Sequence, residues 1–512
     1  MKIAIVVALI INLVLCLVDY LHMFQLNFYN TGMHLHWCKS NLKKISLRAL
    51  FAIIPLISLS NNLLLQIIAL IALAFSIIIN LPKRHTKIPL KITGRILRLF
   101  FVETGLIALV LLIQPKLYCM IIRPCILTIV SPLWCLVANF FLIPVEEIGR
   151  RYYINSAKRI LKGQDKLLII GITGSYGKTS MKTYLYELLS QKYEVLKTPE
   201  NYNTPLGIAR TIKTKLKPTH EIFLCEMGAM YRGEIAECCK LVQPKLGIIT
   251  AIGPQHLQTF GSLDNIIATK FELADAIQEN NGVIFLNFNN DYIAKHPTKA
   301  QLFKYGTKAK KLNYKATKLK TTETGQSFEF TDKDKSFTCE TTLLGEHNIE
   351  NLTGAIAIAR YLDIPEKDIQ FAIKRIKAAP HRLELKSHDN LNIIDDSYNS
   401  NPVSASLAIN ILCKFAGKHV VVTPGLIELG DDEERYNQEL GEHIAEQEPD
   451  YVYLVGKASQ AAAVEAGLIT KKFQASNIQF VNSPQEAVSY AKARYPSEKL
   501  NILLLNDLPD NY

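Results

Sequence analysis

KLLIIGITGSYGKTSMKTYLYELLSQ, residues 166–191, decides how this chain reads. Leu167 to Ile172 is an apolar run of strand length, and a helical pattern begins near Lys178. Strand, glycine-bearing turn and helix start is the context in which backbone amides cradle phosphate. Gly174 and Gly177 let the backbone approach phosphate oxygens, with Ser175 and Ser180 beside them. Lys178 offers a point charge to the terminal phosphates, and the Thr179 hydroxyl suits Mg²⁺. The strict phosphate-loop spacing is not met, because Ile172 stands where its first glycine belongs. A plain glycine turn is the competing reading, and the strand–helix context argues against it.

Four stretches downstream carry further chemistry. LCEMGAMYRGEI (224–235) puts Glu226 after the apolar strand Ile222 to Cys225, at a carboxyl edge where α/β sheets bind ligands. LGIITAIGPQHL (246–257) does the same for His256, after a strand expected over Leu246 to Ile252. IIATKFELADAI (266–277) offers Lys270 on a helix, and GEHNIENLTGAIAIA (345–359) joins Asn348 and Asn351 to an amphipathic helix. Taken singly, helix caps, a loop histidine and a solvated helix face explain these residues better. Their joint order downstream of a phosphate loop does not fit those explanations. From about Asn390 the strands Leu391 to Ile394, His419 to Thr423, Tyr451 to Val455 and Asn501 to Leu505 alternate with helical stretches, a doubly wound α/β pattern.

Upstream, composition changes. Residues 1–150 carry long apolar runs with few acids, at 4–18, 49–80, 99–114 and 119–144. No small-residue cleavage site follows the first run, so it reads as a retained helix. The run 49–80 is too long for one span, with a turn at Asn61-Asn62 or a broken helix as the two solutions. Gln114-Pro115-Lys116 is the turn between the last two runs. Basic groups flank them: Lys39, Lys43, Lys44 and Arg48; then Lys83, Arg84, Lys87, Lys91, Arg95 and Arg98; then Arg150 and Arg151. That placement is the positive-inside signal and accounts for much of the net charge of +12 without nucleic acid. Four or five spans are expected, with the catalytic domains on the cytoplasmic side of the cell (inner) membrane. Glu103 and Arg123 are ionisable groups within the later runs, open to a functional role or to snorkelling. Ten scattered cysteines without metal-ligand spacing read as free thiols.

The resulting fold class is multi-domain: an α-helical membrane domain (1–150), an α/β ATP-binding domain (164–380) and an α/β doubly wound C-terminal domain (381–512). TGSYGKTS (173–180), NYNTPLG (201–207), EMG (226–228), GPQHL (253–257), Asn348 and Asn351, APHRLE (379–384) and DDSYNSNP (395–402) stand in the order of one family. From residue 166 to about 500 the chain resembles the Mur ligases, and within them the branch adding D-alanyl-D-alanine to a UDP-muramoyl tripeptide. PGLIELGDDEERYN (424–437) resembles a further turn of that family.

The resemblance implies an ATP- and Mg²⁺-dependent, amide-forming enzyme that works through an acyl phosphate. It implies that Lys178 holds the phosphates, with Thr179 and Glu226 at the bridging magnesium. His256 would ligate a second magnesium, and Lys270 would match a carbamoylated lysine. Asn348 and Asn351 would lie at the adenine, and Arg382 and Asp396 would reach the nucleotide from the linker and last domain. Asn201, Asn203, Tyr398, Asn399 and Asn401 are the expected substrate contacts. The implied partners are a UDP- or lipid-linked cell-wall precursor, an amino acid or dipeptide, and the bilayer, with no nucleic acid.

Two features depart from the family pattern. Apolar runs occupy the place of the UDP-binding domain, and the chain ends NILLLNDLPDNY, with Asn506 and Asp507 where a lysine-glycine-serine turn is typical. A polyglutamate-type ligase and an inactive nucleotide-binding scaffold are the alternatives. The retention of Lys178, Thr179, Glu226, His256 and Lys270 together argues against the scaffold.

Overall fold

A computed structural model describes residues 1–81, 89–113, 116–199, 202–255, 257–322, 325–333, 335–378, 380–398, 400–427, 429–456 and 459–506. The described chain divides at Arg150 into two units.

The first unit is helical: α1 (Lys2–Leu26), α2 (Thr31–Ser40), α3 (Leu42–Ile53), α4 (Leu63–Asn80), α5 (Gly94–Leu112), α6 (Leu117–Ile129) and the start of α7 (Ser131–Lys162). Side-chain caps set its breaks. Asn62 Oδ1 accepts from Leu64 N at 2.9 Å and starts α4, which resolves the run 49–80 into α3, a 3₁₀ turn at Ile54–Leu59 and α4. The run expected as one span over 119–144 is instead two helices divided at Val130, where Ser131 Oγ donates to Thr128 O at 2.7 Å. Among the described residues three helices are long and apolar enough to cross a membrane: α1, α4 and α7. The count falls below the four or five expected because α5 carries Arg95, Arg98 and Glu103 and α6 has only 13 residues. Lys83, Arg84 and Lys87 of the second basic group, and the turn at Gln114-Pro115, lie outside the described residues.

The second unit holds two sheets. The first orders β1 (Leu168–Thr173), β2 (Val195–Lys197), β3 (Ile222–Glu226), β4 (Leu246–Ile249), β5 (Val283–Asn287), β6 (Gln301–Gly306), β7 (Tyr314–Thr322), β8 (Gly325–Asp332) and β9 (Lys335–Thr341) as β2-β3-β1-β4-β5-β6-β7-β8-β9. Pairing is parallel through β7 and antiparallel from β7 to β9. The parallel strands are short apolar runs covered on both faces, as parallel sheets require. Order reverses at β1, so the loop after β1 opens at the switch point where such sheets bind ligands. Ile154 and Ala157 of α7 pack into one face of this core.

The second sheet orders β10 (Glu384–His388), β11 (Leu391–Asp396), β12 (Lys418–Thr423), β13 (Tyr451–Val455), β14 (Ile478–Val481) and β15 (Leu500–Leu505) as β10-β11-β15-β12-β13-β14. Only β10 runs antiparallel. Two expectations change in the second unit. Strand β4 ends at Ile249 rather than Ile252, because the chain then turns toward the phosphate loop. The helix Glu346–Tyr361 is buried at Ile349 and from Asn351 to Ala359 rather than amphipathic, since it packs beneath the sheet on α8 (Lys178–Leu189).

Candidate active site

The loop between β1 and α8 is shaped by close approach. Gly174 has φ +150°, and a Cβ there would collide with the Thr250 hydroxyl; Gly177 has φ +77°, with the Asn351 side chain 2.9 Å from where its Cβ would stand. No L side chain fits either place without strain. Ser175 N donates to Ala251 O at 2.7 Å, and Gly253 N donates to Ser175 Oγ at 3.2 Å. Thr250 Oγ1 donates to Tyr176 O. Ser180 lies against the Tyr184 hydroxyl. The loop is thus tied to the strand-end segment of β4, leaving its amides around the start of α8.

Lys178 Nζ folds onto this loop, donating to Gly174 O at 2.6 Å and Ser175 O at 3.1 Å. Withdrawal from water pushes its amine down to about 8; Glu226 opposes this and Arg382 adds to it. A glycine cradle facing an ammonium that donates to its own loop's carbonyls fits a polyphosphate.

Glu226, 2% exposed, is the hub beside it. Lys182 Nζ lies 2.8 Å from Oε2, Asn203 Nδ2 donates to Oε1 at 3.2 Å, and Thr179 Oγ1 approaches Oε1 at 3.4 Å. A hydroxyl and a carboxylate side by side are the hard oxygen donors Mg²⁺ takes, so Thr179 and Glu226 fit that ion. Lys270, on the helix Leu263–Glu279, is buried rather than on a solvated face. Its Nζ stands 5.6 Å from the Phe260 ring centre, and burial, reinforced by Lys178, pushes it down to about 7.

The remaining expected residues divide. Asn348 is enclosed: its Oδ1 accepts from Tyr184 Oη at 2.8 Å and its Nδ2 donates to Leu344 O at 2.8 Å, so it braces the helix. Asn351 packs on Gly177. From the last domain, Arg382 stacks on Tyr398 at 4.4 Å and sits close enough to Lys178 and Glu226 to act on them electrostatically. Asp396 accepts from Leu383 N at 3.1 Å and Ser400 Oγ at 3.4 Å; burial raises it to about 6 against the pull of Arg382. Asn401 caps the helix Pro402–Leu412 by accepting from Val403 N and Ser404 N, so that carboxamide oxygen is engaged. Asn201, His256 and Asn399 lie outside the described residues.

Several polar residues of this region escape a reading of sequence alone. Lys182 is one helical turn beyond Lys178, a spacing that puts both on one face. Asn287 and Asn289, at the carboxyl end of β5, both donate to Glu350, at 3.3 and 2.7 Å. The run NFNND (287–291) after an apolar strand was a visible signal for them.

Comparison with known proteins gives the same layout. The Mur ligase middle domain model matches residues 172–359, and the Mur ligase, glutamate ligase domain model matches 381–504. The UDP-N-acetylmuramoyl-tripeptide--D-alanyl-D-alanine ligase of Bacillus subtilis (strain 168) is 32% identical over 56% of this chain and 63% of its own length. The enzyme of the same name from Escherichia coli (strain K12) is 30% identical over 59% of this chain and 67% of its own. This chain therefore spans less than two thirds of the first relative. Among solved structures, MurF from Acinetobacter baumannii superposes with a TM-score of 0.63 at 27% identity, covering 70% of this chain and 77% of that one. A MurF ligase from Thermotoga maritima in complex with ADP gives 0.62 at 26%, covering 70% and 80%.

Proposed function

This chain belongs to the Mur ligase family, and from that premise we propose that it is a membrane-anchored ligase forming an amide bond in cell-wall peptide at the expense of ATP. The observation that carries the reading is the convergence of Lys178, Thr179, Glu226 and Lys270 from one sheet with Arg382 and Asp396 from the next. The printed names of the relatives support a D-alanyl-D-alanine dipeptide as the amine and a muramoyl tripeptide as the acceptor.

In this reading the acceptor carboxylate takes the terminal phosphoryl group, the amine attacks the acyl phosphate, and phosphate leaves. Lys178, Arg382 and the loop amides neutralise charge that grows on the transferring group, and the two domains align the reactants. Thr179 and Glu226 would hold Mg²⁺, which when bound would add to that charge neutralisation. His256 would hold a second ion. Lys270 is suited to carbamoylation because a neutral amine is the form that adds CO₂, and burial favours that form.

The helical unit favours an acceptor carried on a polyprenyl lipid, since α1, α4 and α7 have the length and apolarity of membrane spans. Phosphate release by detergent-solubilised protein tests both levels of the proposal. It is expected to require ATP, a muramoyl tripeptide and D-alanyl-D-alanine together, and to fall at least about 10²-fold in Lys178→Ala. Turnover on the UDP-linked tripeptide but not the polyprenyl-linked one would remove the lipid-linked acceptor. ATP binding without acceptor-dependent release from either would favour a scaffold.

A further inference from the structure

The ligase unit carries little net charge, because fourteen basic residues against four acids in residues 1–150 account for most of the chain's +12. Within that near-neutral unit one segment is strongly one-sided. From Tyr292 to Thr322 the sequence holds nine lysines, no arginine and no Asp or Glu. Six of the lysines fall in KAKKLNYKATKLK (308–320), the loop after β6 and most of β7. Blocks of like charge repel one another and are usually disordered tails. This one is folded into a sheet instead.

Topology gathers its lysines in one place. β7 pairs with β6 through Tyr305 with Tyr314 and Gly306 with Lys315, so it starts where β6 ends and runs on past the carboxyl edge of the parallel strands. That is the end of the sheet from which the phosphate loop leaves β1. Strand alternation then sorts the side chains. Tyr314 and Ala316 turn into the core with Phe328, Phe330 and Phe337. Lys315 takes the other face, opposite Thr331 of β8. One extra residue between Thr317 and Lys320, with Lys318 at φ +52°, brings Lys320 back to that same face, opposite Ser327. The carboxylates of the face are engaged, Glu329 by Lys318 at 2.6 Å and Glu340 by Lys374 at 3.0 Å. Beside it, Lys308 meets Glu346 at 2.8 Å. Lys310, Lys311, Lys315 and Lys320 are exposed, and among the described residues no carboxylate pairs with any of them.

We propose that this lysine face docks the ligase unit on anionic phospholipid headgroups. The inference rests on the membrane anchoring proposed above, since a tether to the bilayer supplies that lipid at high local concentration. The residue chemistry selects lipid over nucleic acid. Lysine is a compact, hydrated charge suited to a diffuse negative surface, whereas the arginine fork that grips single phosphates is absent here. The aromatic rings of the segment, Phe303, Tyr305 and Tyr314, pack in or against the core and are not offered to bases. Among the described residues of 306–341 no large apolar side chain is exposed, so the contact is electrostatic and nothing inserts. The face lies at the phosphate-loop end of the sheet. Docking therefore holds that end nearer the headgroups, where a polyprenyl-linked acceptor would carry its polar part.

The test places the full chain in nanodiscs of phosphatidylcholine alone or mixed equally with phosphatidylglycerol, and reads lysine acetylation residue by residue by mass spectrometry. Lys310, Lys311, Lys315 and Lys320 are expected to react at least about fivefold more slowly over phosphatidylglycerol, the share one lysine contributes at such a surface. Lys414 and Lys492, exposed in the last domain, should react alike in both. The protection should vanish in about 1 M salt, where charges are screened beyond about 3 Å. In a Lys310→Gln, Lys311→Gln, Lys315→Gln triple variant, Lys320 should lose most of its protection while the denaturation midpoint stays at the wild-type value. Equal acetylation over both lipids, or equal slowing of Lys414 and Lys492, overturns the docking and leaves the anchoring standing. A chain that does not enter nanodiscs overturns the anchoring, and the docking with it. Protection that arises only when RNA is added over phosphatidylcholine overturns the lipid and assigns the face to nucleic acid.

Discussion

The helical unit and the ligase unit bury and expose opposite things. In the ligase unit, buried charge converges: Lys182, Thr179 and Asn203 all meet one carboxylate, Glu226. In the helical unit Arg48 pairs with Asp19 at 2.7 Å, but a second buried charge stands apart. Glu103, 1% exposed on α5, has no hydrogen-bond partner for either oxygen among the described residues, and Trp134 Nε1 is likewise unpaired. Outward faces invert the pattern. Leu63, Leu64, Ile71 and Ile78 of α4 stand 63–65% exposed, whereas the ligase strands carry their apolar residues inside. The difference is the one that the proposed membrane anchoring requires: the first unit turns apolar side chains outward, while the second holds a paired polar centre within its core.

The ligase half of that comparison breaks most visibly at Lys182. Its ammonium and the Glu226 carboxylate are each nearly inaccessible, at 4% and 2% of side-chain surface. Removing one partner leaves a buried charge uncompensated, which typically costs about 3–5 kcal/mol. Lys182→Met is therefore expected to lower the denaturation midpoint of the ligase unit by that equivalent. Lys182→Met combined with Glu226→Gln should recover most of it. A Lys182→Met protein as stable as wild type would mean that the polar centre is not held by pairing.

Asp396 gives the next largest effect, with a sign that depends on pH. Burial raises its carboxyl from 3.8 to about 6, and the Arg382 attraction only partly offsets this. A raised folded-state value means that the group's contribution is fully present below about pH 4 and is lost as pH rises through about 6. Wild type then carries a buried carboxylate at neutral pH. Asp396→Asn removes that penalty and is expected to gain about 2–3 kcal/mol at pH 7.5, vanishing below pH 4. Stability curves of the two proteins at pH 4 and pH 7.5 measure this. Turnover should fall at the same time, the usual conflict between stability and a strained site.

What could be read from sequence follows the range of the interactions. The phosphate loop, Glu226 and the strands of the last domain were legible because strand, glycine and helix signals are local. Lys270 was placed but not its burial, since solvation of a helix face depends on what packs there. His381 and Asp395 are 14 residues apart, and only the antiparallel pairing of β10 with β11 brings them together. The sequence holds no periodicity that announces that edge strand. Asn401 shows the opposite case, a residue whose motif suggested substrate and whose carboxamide is engaged in capping a helix. In the helical unit, apolar length was legible, but the break at Val130 depends on Thr128 and Ser131 closing onto the backbone.

The smallest expected effect is also the sharpest test of the solvent argument. Asn12 of α1 accepts from Ser76 Oγ at 2.9 Å and Asn80 Nδ2 at 3.0 Å, joining α1 to α4. In a water-soluble core, Asn12→Val would leave these two donors unsatisfied against an unfolded state hydrated by water, at about 1–3 kcal/mol. In a bilayer the helices stay formed when the bundle comes apart and their polar groups find other partners, so such bonds average about 0.6 kcal/mol. Reversible unfolding of the intact protein in mixed micelles separates the two values. A cost near 0.6 fits helices solvated by lipid, whereas 2 kcal/mol or more would mean that α1 and α4 pack as a water-excluding core and would break the contrast between the units.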